Sequence, residues 1–290
     1  MKKFLFVFVC LVLFVTGCGT RDTQSALPQT TDHETALDES DVMQGELTVD
    51  DAETSSAASH KYIFHAGGIT PDGITGSSSL EALNYSYERG YLIVEMDFCW
   101  TEDNHLVCVH DWDAYYAHRL GKECVTLEEF ESAKYGTYGF TSMTLYDLAD
   151  WMKEHEGAVI VTDIKERSVD GARLISEKYP DLLDRFYFQI YSKSDYDVVR
   201  GIGFNNIILT VYQLPWEEKI DAVGLAEYAL NHELIGLTYP IELHEWYPDY
   251  TSSLLKANTP LYVHTVNDWE KQKQLFALGV SGVYTDNVNQ

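Results

Sequence analysis

From residue 62 onward the chain alternates between short runs rich in β-branched and aromatic residues and longer amphipathic stretches. The strand-like runs are 62–66, 91–99, 106–110, 158–165, 186–191, 206–212, 234–239, 261–266 and 282–285. Helix-period segments lie between most of them, at 79–89, 145–155, 169–179, 195–200, 217–230, 250–257 and 269–278. Strands that alternate with helices build a parallel sheet, because each crossover carries the chain back over one face. Over this length such a sheet either closes as a (β/α)8 barrel or stays open and doubly wound. No glycine-rich dinucleotide fingerprint favours the open form. The predicted class is therefore α/β, a (β/α)8 TIM barrel.

Nine runs are one too many for eight barrel positions. A parallel crossover needs a dozen or more residues, and only residues 100–105 separate the second run from the third. The run 106–110 is expected to fold back beside 91–99 or to lie over the barrel mouth. As an extra returning strand it would carry His110 to the site from above.

The first 60 residues are of another kind. Met1-Lys2-Lys3 leads into an apolar run from Phe4 to Val15, followed by Thr16-Gly17-Cys18-Gly19. A basic start, a short apolar run and small residues make a secretory leader. Twelve apolar residues span roughly 18 Å as a helix, short of a bilayer core of roughly 30 Å. Val15-Thr16-Gly17-Cys18 resembles a bacterial lipobox, in which the cysteine sulfur is lipidated. The alternative is an ordinary cleaved signal with an incidental cysteine. From residue 21 to residue 60 ten acids face only Arg21, among Ser, Thr and Ala, which reads as a self-repelling tether. The expected organisation is a leader over 1–17, lipidated Cys18 and tether over 18–60, and a folded domain over 61–290. The expected location is outside the cytoplasm, anchored to a bacterial membrane.

The net charge of -26, from 46 acidic and 20 basic side chains, argues against a nucleic-acid partner. It also argues against holding anionic lipid by charge alone. Cys99, Cys108 and Cys124 fall in the folded part without metal-type spacing, so core thiols are the default reading. A Cys99–Cys108 pairing across a hairpin stays open.

The chemistry gathers at strand ends. Side chains two apart on a strand share a face, so Glu95 projects with Asp97, and Asp163 with Lys165. Charged pairs inside apolar strands are costly unless they bind something. Three carboxylates at a barrel's carboxyl end suit one hard divalent cation, Mg2+ or Ca2+. They equally suit an internal ion-pair set with Lys165 neutralising one acid. His65 and His110 each end a strand-like run, and two imidazoles flanking a cation would serve as base and acid in phosphodiester cleavage.

These residues resemble the glycerophosphodiester phosphodiesterases, relatives of phosphatidylinositol-specific phospholipase C. The family's His-Arg-Gly is matched by His65-Ala66-Gly67, and its Glu-x-Asp by Glu95-Met96-Asp97. Its Thr-x-Asp-Gly-x-x-Val-x-x-His-Asp block is similar to the run from Thr101 to Asp111. Its Glu-x-Lys corresponds to Asp163-Ile164-Lys165. The closing Trp-Thr-Val-Asn and Gly-Val-Asp-Gly-x-x-Thr-Asp signals correspond to His264-Thr265-Val266-Asn267 and to the run from Gly279 to Asp286.

The resemblance implies a barrel with metal ligands Glu95, Asp97 and Asp163, an acid–base pair His65 and His110, and Lys165 as a charge stabiliser. It implies a glycerophosphodiester or an envelope glycerol-phosphate polymer as substrate. Three departures bear on substrate range and catalytic power. Ala66 removes an arginine clamp on phosphate, residues 76–79 replace a Pro-Glu-Asn-Thr run, and Asp163 is shorter than glutamate. Trp112, with Trp100, Tyr115, Tyr116, Trp216, Trp246 and Tyr247, could form an aromatic platform for a headgroup. Gln189 and Tyr212 are candidates for polar substrate contacts, whereas His105, His118 and His244 are assigned to surface or structural roles. Two other functions compete: a lyase that stops at a cyclic phosphate, and a lipoprotein that binds such esters or a glycan without turnover.

Overall fold

The computed structural model describes residues 61–112, 122, 124–133 and 139–288. The leader, Cys18 and the acidic segment lie outside the described residues, as do Tyr115, Tyr116 and His118. Each of the nine strand-like runs overlaps a strand: β1 (Tyr62–Phe64), β2 (Ile93–Trp100), β3 (Leu106–Val107), β4 (Val159–Ile164), β5 (Phe186–Ile190), β6 (Ile207–Thr210), β7 (Gly236–Pro240), β8 (Leu261–His264) and β9 (Gly282–Thr285). β1 pairs in parallel with both β2 and β9, which closes eight strands into a barrel. β3 stands outside it, antiparallel to β2 with Cys99 opposite Val107.

The two-residue period of each strand divides the core. Phe64, Val94, Met96, Ile160, Phe186, Phe188, Leu209 and Val263 point outward into a large core shared with the surrounding helices. Ile63, Ile93, Val161, Ile208 and Tyr284 point inward and plug the barrel. Gly282 makes room for that plug, since a Cβ there would come within 2.8 Å of the Lys61 carbonyl and of the Tyr262 ring. One step further along the same inward rows, the residues become polar. Ile63 gives way to His65, Ile93 to Glu95 and Asp97, Val161 to Asp163, and Ile208 to Thr210.

The returning segment has a core of its own. Val107, Val109, Val125, Phe130 and Phe140 cluster beside the barrel. The Cys108 N–H donates to the Met143 carbonyl at 2.8 Å. The helix Leu127–Ser132 completes this cluster and carries a capping box between Thr126 and Glu129. Sequence periodicity misses it because it is barely two turns long. The stretch expected as one helix over 217–230 is two, Trp216–Lys219 and Ala222–Leu230, because Asp221 turns out of the helix to cap Gly224. Cys99, Cys108 and Cys124 are free thiols. No helix among the described residues is long and apolar enough to cross a membrane.

Candidate active site

Glu95, Asp97 and Asp163 meet at the carboxyl ends of β2 and β4, where Asp97 and Asp163 are register partners. They are only 2%, 1% and 9% exposed. One carboxylate oxygen from each lies within 4.8 Å of the others. Lys165 donates to Asp97 Oδ1 at 2.8 Å and to Asp163 Oδ2 at 2.7 Å. The Ser78 hydroxyl donates to Asp97 Oδ2 at 3.1 Å. Asp163 Oδ1 accepts from the Tyr191 hydroxyl and, at 3.2 Å, from the Tyr212 hydroxyl. The Ala66 N–H donates to Glu95 Oε2 at 2.7 Å, but Glu95 Oε1 is buried with no partner.

Three buried acids thus share one lysine. Burial, the charge on Asp97 and the charge on Asp163 push the Glu95 carboxyl well above its usual range. Burial also raises Asp163 despite Lys165, whereas for Asp97 the cations Lys165, His110 and His65 outweigh burial and lower it. Lys165 is raised, because Asp97 and Asp163 outweigh the cost of burying its charge. The ion-pair reading therefore describes Asp97 and Asp163 but leaves Glu95 Oε1 unmet. An orphaned, buried carboxyl oxygen beside two more carboxylates fits a hard divalent cation, which would favour its ionised form.

Two histidines border this acidic floor. His65 follows β1 in a tight turn in which Ala66 takes a left-handed φ of 49°. Its Nδ1 is 2.8 Å from Asp286 Oδ1, just past β9. Asn267 fixes that carboxylate by donating to Asp286 Oδ2 at 2.6 Å while its own Oδ1 accepts the Asp286 N–H at 2.8 Å. Burial opposes a charge on His65, but the Asp286 hydrogen bond and the charges of Glu95 and Asp97 outweigh it and raise the imidazole to about 9. His110 arrives from β3 on the exposed side, with Nδ1 2.6 Å from Asp111 Oδ2.

A cavity of ≈ 240 Å³ joins His65, Glu95, His110, Asp163, Lys165, Gln189, Thr210, Tyr212, His264 and Tyr284. An adjoining cleft begins at His110 and Lys165 and continues past Phe98, Cys99, Trp100, Asp111, Trp112 and Glu166. Of the residues singled out in the sequence, Gln189 and Tyr212 thus line the main cavity and Trp112 the side cleft. Gln189 is already engaged: its Nε2 donates to the Thr162 carbonyl at 3.2 Å and its Oε1 accepts from Tyr284 at 2.9 Å. Trp112 packs edge-on against Phe130. Trp216 and Trp246 are exposed, His105 is on the surface, and His244 pairs with Thr251.

Sequence reasoning assigned no role to Asp286, Asn267, Ser78, Tyr191 or His264. A signal existed for Asp286 and His264, which continue the inward rows of β9 and β8. None existed for Ser78 or Tyr191, whose contacts depend on loop paths.

Residues 58–199 match the model of the glycerophosphoryl diester phosphodiesterase family. No curated protein is significantly similar to the chain. Among solved structures, a glycerophosphodiester phosphodiesterase from Parabacteroides distasonis superposes with a TM-score of 0.62 at 22% identity, covering 78% of this chain and 92% of its own. The Thermotoga maritima enzyme of the same name gives 0.57 at 22% identity, with 78% and 94% covered. An Oleispira antarctica phosphodiesterase in complex with the product sn-glycerol-3-phosphate gives 0.59 at 16% identity, with 80% and 95% covered. These likenesses bear out the barrel, and together with the family match they identify the chain as a phosphodiesterase belonging to the glycerophosphoryl diester phosphodiesterase family.

Proposed function

We propose that the protein hydrolyses glycerophosphodiesters to glycerol phosphate and an alcohol, using one divalent cation, Mg2+ or Ca2+, and the pair His65 and His110. The observation that carries this reading is the buried Glu95, Asp97 and Asp163 set, with its unmet Glu95 oxygen, between two histidines on one cavity. The product held by the Oleispira antarctica relative supports the substrate class.

Glu95, Asp97 and Asp163 would hold the cation. Bound there, it would stabilise charge on the non-bridging phosphate oxygens. Lys165, held beside it by Asp97 and Asp163, would add a fixed positive charge. The free glycerol hydroxyl next to the ester attacks phosphorus. His65 suits the base, because Asp286 occupies Nδ1 and leaves Nε2 for the proton. Once the charges of Glu95 and Asp97 are balanced, two of the fields that raise His65 are gone, and the imidazole returns towards the range of a base. His110 stands where the side cleft opens and suits the acid that protonates the leaving alcohol. Water then opens the cyclic phosphate, with the two roles exchanged.

The assay is release of glycerol phosphate from glycerophosphodiesters with Mg2+, Ca2+ or chelator, followed by phosphorus NMR. Turnover that needs the cation and falls at least a hundredfold in His65→Ala and His110→Ala supports the mechanism. An unchanged rate in chelator and in His65→Ala rejects it. A lasting cyclic phosphate points to a lyase, and binding without product to a non-catalytic receptor.

Membrane attachment through Cys18 is part of the same proposal, supported by the lipobox-like sequence at the end of the leader. Mass spectrometry of the mature N-terminus tests it: a diacylglyceryl group on Cys18 is expected, and an unmodified or internal start rejects it.

A further inference from the structure

The main cavity has two unlike walls. Glu95, Asp163, Lys165 and His65 make the charged side, from β1, β2 and β4. Across the barrel, β6 and β8 present Thr210 and His264, and both carry an unmet polar atom. Thr210 Oγ1 and His264 Nε2 are buried with no hydrogen-bond partner. Their neighbours Gln189 and Tyr284 are satisfied by each other and by Thr162. Thr238 Oγ1, on β7 between them, is likewise unmet but does not line the cavity, so on this wall the unmet atoms that face the cavity are those of Thr210 and His264.

The His264 ring is fixed, with Tyr212 and Tyr284 standing edge-on to it at centroid distances of 5.7 Å and 5.9 Å. It is also neutral: burial, and then the charge of His65, lower its pKa to about 3. A neutral imidazole offers one donor and one acceptor, and a threonine hydroxyl offers both. Such a pair matches a hydroxyl, which also donates and accepts. It has no net charge to offer a phosphate, and an alkyl group seated there would leave both atoms unmet.

We propose that His264, with Thr210, binds the terminal hydroxyl of the glycerol unit, the one that does not attack phosphorus. The two residues thereby select glyceryl esters over deoxy analogues. This rests on the proposed reaction, whose phosphate lies at the charged wall; the polyol then extends across the cavity to β6 and β8. The sequence agrees, since His264 stands where the resembling family carries tryptophan, a residue whose indole donates but does not accept.

The test compares two diesters with the same leaving alcohol, one of glycerol and one of propane-1,2-diol. Both keep the hydroxyl next to the ester, and only the first has the terminal hydroxyl. The wild-type protein is expected to prefer the glyceryl ester in kcat/KM by roughly 10- to 100-fold. In His264→Phe the preference should shrink to about threefold or less, chiefly through a higher KM for the glyceryl ester. His264→Gln, which keeps a donor and an acceptor, should retain part of it, and Thr210→Val should lose part. Wild-type discrimination that persists in the Phe variant, or is absent from the wild type, overturns the proposal. Calorimetry with sn-glycerol 3-phosphate and propane-1,2-diol phosphate reads the same contact without turnover. If catalysis fails but glycerol phosphate binds more tightly and the Phe variant loses the difference, the recognition stands and the reaction does not. Equal binding of the two ligands, or binding of neither, rejects the recognition as well.

Discussion

Asp286 does to His65 what no neighbour in the chain does: it fixes one ring nitrogen and supplies negative charge at 2.8 Å. Asp286→Asn keeps the shape and removes the charge. The His65 pKa should fall and kcat should drop about a hundredfold at constant fold; an NMR titration of the imidazole beside steady-state rates checks both. His65 and His264 also make opposite predictions for stability in chelator. His264 is held neutral at about 3 against 6.5 in the unfolded chain. The unfolded state therefore binds the extra proton, and stability falls as pH drops from 6.5 towards 3. His65 is raised from 6.5 to about 9. Its contribution is complete below 6.5 and is lost as pH rises through 9. Melting curves against pH should decline on both sides, with the acid limb softened in His264→Phe and the alkaline limb in Asp286→Asn. The carboxylates and Lys165 were legible in the sequence because a strand's two-residue period settles which side chains share a face. The Asp286–His65 contact was not, because 221 positions separate its partners and only barrel closure brings them together.

At the scale of elements, the returning strand shows how little secondary structure is needed to place His110, the acid of the proposed reaction. β3 is two residues long, yet Val107 and Val109 seat the segment in a small core with Val125, Phe130 and Phe140. His110 is the next residue, so its position depends on that core. Phe130→Ala should destabilise by about 3–5 kcal/mol if the cluster unfolds with the barrel. Because the cluster stands beside the barrel, we expect it to open locally instead. Hydrogen exchange should quicken over 106–110 while β4 and β5 stay protected, and kcat should fall with little change in cation affinity. Chain geometry made the fold-back legible, since six residues cannot form a parallel crossover. The break at Asp221 was less legible, because an acid inside a helical pattern reads equally as a surface residue or as a cap.

For the whole molecule, closing the barrel concentrates like charge. Strand ends that are remote in sequence are forced onto one ring, and the apolar plug below keeps water from screening Glu95, Asp97 and Asp163. The fold class was legible because the alternation of strands and helices is a property of the entire chain. The balance of charge was not, because the net -26 includes the acidic segment before residue 61 and does not indicate which acids are buried. Burying three carboxylates with one lysine destabilises the protein alone and favours any cation that binds them. Removing one charge should therefore act in opposite directions under two conditions. In chelator, Glu95→Gln removes the cost of holding a buried carboxyl in its neutral form beside Asp97 and Asp163 and keeps an oxygen for the Ala66 N–H, so near neutral pH it should melt above the wild type. With cation at a hundred times Kd, the wild type gains about 2.7 kcal/mol, roughly 5–10 °C for a domain of this size. The variant, lacking an anionic ligand, gains much less, and the order of the two melting temperatures reverses. Scanning calorimetry of both proteins with and without Mg2+ or Ca2+ decides it. A constant order would mean that Glu95 serves the fold as a neutral acid and that the cation site is not where the three carboxylates meet.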